Sequence, residues 1–73
     1  MEESRQILHM QVRLVRMATQ KWRLPVGEVA GIFDRCQVFA YIRECFGLFH
    51  VEGDEAVWEE LIPYLKSKGC QYA

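Results

Sequence analysis

At 73 residues, 51% hydrophobic content and a formal net charge of −1, the chain has the size and composition of one small domain. No apolar run approaches the ~20 residues of a membrane span, so a transmembrane helix is excluded. Three cysteines, an odd number in a sequence that opens without a secretory signal, point to reduced thiols and a cytoplasmic setting rather than a disulfide framework.

A core this small rarely supplies more than ~3–5 kcal/mol. Self-association is therefore an expected source of extra stability. The low net charge conceals an asymmetry. Residues 1–43 carry seven basic and four acidic groups, whereas residues 44–73 carry two basic and six acidic ones. Such a dipole can steer a charged partner or a second copy.

The spacing predicts an all-α bundle of three to four helices, over about 3–22, 25–35, 37–46 and 59–68, in a single domain 1–73 with frayed ends at 1–3 and 70–73. In the first helix Glu2 and Glu3 suit the N-terminal dipole and no Gly or Pro interrupts before Pro25. Leu8, Val15 and Trp22 recur every seven residues and should pack inward. Met10, Leu14 and Met17 extend the apolar surface along another edge. That edge is expected to form a homodimer interface, or else to be covered by the last helix of the same chain.

The opposite face carries Arg5, His9, Arg13, Arg16, Gln20 and Arg23, with no acidic residue from Ser4 to Arg23. The four arginines and His9 are the candidate partner-binding residues. They suit an acidic protein surface or, as the alternative, nucleic-acid phosphates. Aromatic side chains do not interleave on this face, which weakens the nucleic-acid reading. The plain alternative is a solvated face neutralised by the acidic C-terminal third.

Leu24-Pro25 ends the first helix and begins the second. Gly27 and Gly31, four apart, are expected to allow close helix packing. Val29, Ile32 and Phe33, then Ile42 and Phe46, repeat at helical spacing; Phe33, Ile42, Phe46 and Leu61 are the expected core. A DNA-reading helix-turn-helix would need several polar and basic side chains on its second helix, yet only Arg43 qualifies. Gly47 should end the third helix. Pro63 inside a helix from Asp54 would cost ~3 kcal/mol, so residues 54–58 are expected to be extended and the last helix to start near Glu59.

The combination of Leu24-Pro25, Glu28-Val29-Ala30, Phe33, Val38, Tyr41-Ile42, Cys45-Phe46, Phe49-His50, Gly53 and Glu60-Leu61 with Tyr64-Leu65 resembles a family of short bacterial proteins known only as a domain of unknown function. The resemblance covers roughly residues 5–69. The chain departs from the family pattern where leucine is expected at Phe49, glycine near Gln37 and an acidic residue near Gly47. The resemblance implies an all-helical fold, with no assigned activity or site residues. Some members are encoded beside predicted toxin-like ADP-ribosyltransferases, which implies an antitoxin-like or accessory role.

No enzymatic chemistry or cofactor is expected. His9, Cys36, Cys45, His50 and Cys70 lack the close pairing of structural zinc ligands, and no phosphate-cradling glycine loop is present. His50 is expected to cap a helix end. The resulting expectation is a non-catalytic protein-interaction module that binds another protein.

Overall fold

Four stretches with helical apolar spacing form four α-helices in the computed structural model, which describes residues 2–73. They are α1 (Glu2–Trp22), α2 (Val26–Arg35), α3 (Val38–Phe49) and α4 (Asp54–Ser67). No strand occurs among the described residues. α1 lies against the other three helices, and α2 packs on α3.

The core is built from Leu14 and Ala18 of α1, Val29 and Phe33 of α2, Ile42 and Phe49 of α3, and Val57, Leu61 and Leu65 of α4. Phe46 joins it, so the four residues expected as core are all buried. Trp22 links the ends of the bundle. Its ring lies 6.2 Å from Phe33, 5.5 Å from Trp58 and 5.5 Å from Tyr72. The last of these contacts sets Tyr72, in the non-helical stretch 70–73 expected to be frayed, against the bundle. Cys70 N–H also donates to the Leu65 carbonyl. Residue 1 lies outside the described residues, and Glu2 and Glu3 already belong to α1.

Two helices run through residues expected to break them. α3 continues past Gly47 to Phe49, because Phe49 reaches the core at 1% exposure. α4 starts at Asp54 and contains Pro63, so residues 54–58 are helical rather than extended. The reason is burial. Val57 and Trp58 are both sequestered only if that first turn is helical, and each buried side chain is worth ~1.5–3 kcal/mol against the proline's ~3 kcal/mol.

The orientation of α1 also differs from expectation. Leu8 is 56% exposed, whereas Met10 and Leu14 are buried and Met17 is half-buried against the core. Met10 and Leu14 therefore offer no edge to a second copy; the apolar edge assigned to a dimer lies inside the chain. Gly27 and Gly31 serve no tight packing either. A methyl group at Gly27 would meet nothing within 4 Å, and one at Gly31 only the end of the Arg35 side chain at 3.5 Å.

Three helix ends close through a left-handed residue: Arg23 (φ 57°), Gln37 (φ 59°) and Gly69 (φ 82°). After α1, Leu24 N–H reaches back to the Thr19 carbonyl, as Cys70 N–H does to Leu65 after α4. Only the last position is glycine, the residue that adopts this conformation without steric cost. Gln37→Gly should stabilise the chain by about 0.5–1 kcal/mol, the relief of left-handed strain exceeding the added flexibility of the unfolded chain. A thermal melt should show a midpoint a few degrees higher; an unchanged or lower midpoint would mean that the turn carries no strain.

Candidate interaction face

The arginine spacing places Arg5, His9, Arg13, Arg16 and Arg23 on solvent, all exposed. They are not equivalent. Arg13 Nε donates to Asp54 Oδ2 at 2.9 Å, and Lys21 lies 3.6 Å from Glu55. These are the two ion pairs among the described residues. The acidic start of α4 thus neutralises part of α1, as the solvated-face alternative supposes. It leaves Arg5, Arg16 and Arg23 without an acidic partner among the described residues.

Beside these arginines lies an apolar groove of about 430 Å³ between α1 and the starts of α2 and α3. Leu8, Val12 and Val26 form its exposed walls at 56%, 42% and 61% exposure, and Val15 and Phe39 lie lower. Gln11, almost wholly buried, is held there by its Nε2 donating to the Phe39 carbonyl at 2.9 Å. Arg16 lines the groove; Arg5 precedes it on the same side of α1. The residues missed from sequence are therefore Leu8, Val12, Val26 and Phe39. The spacing of Leu8, Val12 and Val15 beside Arg5 and Arg16 was the available signal, but Val26 and Phe39 come from other helices.

On the far side of the basic face, His9 and Arg13 share a hollow of about 370 Å³ with Phe46, His50 and Glu52. His50 caps α3, and its Nδ1–H donates to the Phe46 carbonyl at 3.0 Å. The ring lies over Phe46 at 5.3 Å. Glu52 Oε1 is shut off from solvent and has no hydrogen-bond donor while both it and Glu60 are ionised. The Glu60 carboxyl beside it raises the Glu52 pKa from its ordinary 4.5, first by sharing a hydrogen bond, then with help from desolvation and charge repulsion.

The sign of that shift fixes a pH dependence. A carboxyl whose folded pKa is raised contributes stability that is fully present below its unfolded value and lost as pH rises through the folded one. Glu52→Gln should therefore melt higher than wild type at neutral pH, with the difference shrinking as pH falls through the raised folded pKa and no longer changing below about pH 4.5. A pH-independent difference would exclude the shared proton.

The cysteines and tyrosines have structural surroundings. Tyr64 O–H donates to the Cys36 carbonyl at 2.8 Å and to that of Gln37 at 3.2 Å, pinning α4 to the α2–α3 turn. Its ring stacks on Tyr41 at 3.9 Å. Burial above all keeps both phenols protonated, with pKa values raised above 10.0. No three His, Cys, Asp or Glu side chains converge as metal ligands among the described residues. Among the described residues no helix is long and apolar enough to cross a membrane.

This small helical bundle is defined by a buried four-helix core and by a solvent-facing α1 that is partly apolar and partly basic. The model of a family described as a protein of unknown function (DUF3791) matches residues 9–68. That match takes in most of the chain, which belongs to this family. No curated protein and no solved structure matches it.

Proposed function

We propose that the protein acts without catalysis, as a module that binds another protein through the exposed face of α1. The observation that carries this reading is the pairing of an open apolar groove with arginines that form no ion pair among the described residues. Leu8, Val12 and Val26 leave apolar surface in water, which a folded protein of this size tolerates best where a partner covers it. Phosphates would use the arginines and leave the apolar walls idle. A protein surface with acidic and apolar groups uses both, so nucleic acid is the weaker reading.

The bacterial source and the antitoxin-like or accessory role belong to the same proposal and rest on the family resemblance, while the cytosolic setting rests on the three cysteines read as reduced thiols. A photocrosslinking residue at position 12, introduced in the native cell, tests it against one at Glu59 on the exposed side of α4. A discrete protein adduct from position 12 that disappears with Arg5→Glu and Arg16→Glu is expected. Nucleic-acid adducts, or retention on duplex DNA or RNA that falls steeply with salt, would favour the alternative.

A further inference from the structure

We infer that the groove seats an amphipathic α-helix of the partner, with an apolar ridge against Val15 and Phe39 and an acidic flank along Arg5 and Arg16. This rests on the reading of the chain as a protein-binding module and specifies what the partner presents. Along α1, Leu8 to Val15 covers about 10 Å at 1.5 Å per residue. That is the distance between positions i and i+7 of a second helix, so three ridge side chains at i, i+4 and i+7 would span it. The walls, Leu8 and Val12 on one side and Val26 on the other, are the most exposed of the lining residues, and Val15 is nearly buried beneath them. A ridge, rather than a flat surface, reaches that floor.

Charge selects the kind of helix. Arg16 lines the groove, Arg5 lies about one turn before Leu8 on the same side of α1, and neither has an ion-pair partner among the described residues. α2 starts at Val26, where Glu28 in its first turn offsets the N-terminal dipole, so the positive field beside the groove comes from the arginines of α1. An acidic flank is attracted and a basic one repelled.

A second copy fits less well. Pairing α1 with itself about a two-fold axis would bring the arginine rims of both copies together, a like-charge contact that disfavours association. The chain's own acidic helix, α4, turns Val57, Trp58 and Leu61 inward and keeps no apolar ridge outside. The chain's other exposed aliphatic pair, Leu48 and Val51, spans only four residues across the end of α3 and the turn after it.

The test uses the full chain and three designed helical peptides of about 16 residues, long enough for marginal helix formation. All carry leucine at i, i+4 and i+7; their flanks are glutamate, glutamine or lysine. By fluorescence anisotropy the glutamate peptide should bind at least about tenfold more tightly than the other two, and more weakly as salt is raised. Leu8→Glu and Val12→Glu should each weaken it about tenfold or more, while Leu48→Glu leaves it unchanged. Because Leu8 and Val12 are exposed, both variants should keep the parent's circular dichroism and melt. Indifference to flank charge, insensitivity to the groove variants, displacement of the peptide by self-association, or tighter binding to phosphatidylserine vesicles would each overturn the inference. If the peptides fail while position 12 still crosslinks to protein, the helical occupant is lost and the protein-binding reading stands. If both fail, both are lost.

Discussion

Replacing Phe33 with alanine is expected to leave the chain largely unfolded at room temperature. The side chain is wholly buried in α2, 6.2 Å from the Trp22 ring and 5.6 Å from that of Phe39. Removing a buried phenylalanine costs about 3–5 kcal/mol, through lost transfer energy and the cavity left behind. A domain of this length has about that much stability in total. The surroundings have little means of collapsing into the gap, because Trp22 is also held by Trp58 and Tyr72. Loss of the helical circular dichroism signal, or a melting midpoint lowered by tens of degrees, is the expected result. Phe33→Leu, closer in volume, should remain folded with a smaller loss. An alanine variant that melts within a few degrees of the parent would show that Phe33 does not anchor the core.

Phe33 was identifiable from sequence because the second and third helices are short and each has one strong apolar stripe. Periodicity then has one solution, and Ile42 and Phe46 followed from the same rule. α1 was harder to orient. Ile7, Leu8, Met10, Val12, Leu14, Val15, Met17 and Ala18 spread over much of its circumference, so several rotations bury a comparable apolar area. The packing of α3 and α4 against α1 decides among them, and those contacts join distant parts of the chain. The packing of α4 also brings Asp54 to Arg13 and removes one arginine from the basic face.

The candidate site divides along the same line. The arginines were recognisable from spacing along one helix. The groove was not, because its walls and floor combine α1 with Val26 and Phe39, which meet only in the folded chain. Gly47 and Pro63 misled for a related reason. Local breakers carry a fixed cost, whereas the burial of Phe49 and Trp58 that offsets it depends on the rest of the fold.

Pro63→Ala should be among the most stabilising single substitutions in this chain. Pro63 lies well inside α4 and is exposed, so its ring contributes little packing. As a proline it has no N–H for the Glu59 carbonyl four residues earlier, and its ring crowds that turn. Alanine restores the hydrogen bond and removes the clash, a difference of ~3 kcal/mol in a helix interior. Proline also restricts the unfolded chain by about 0.4–1 kcal/mol, which alanine gives up. The net gain should be about 2 kcal/mol, or a melting midpoint higher by ~8–15 °C for a domain of this size. Helix content at low temperature should change little, since α4 is already formed. Had the helix begun near Glu59, Pro63 would occupy its first turn, where a missing N–H costs nothing and alanine gains almost nothing. The melting curve therefore distinguishes the two starts of α4, and an unchanged midpoint would remove the continuous helix from Asp54.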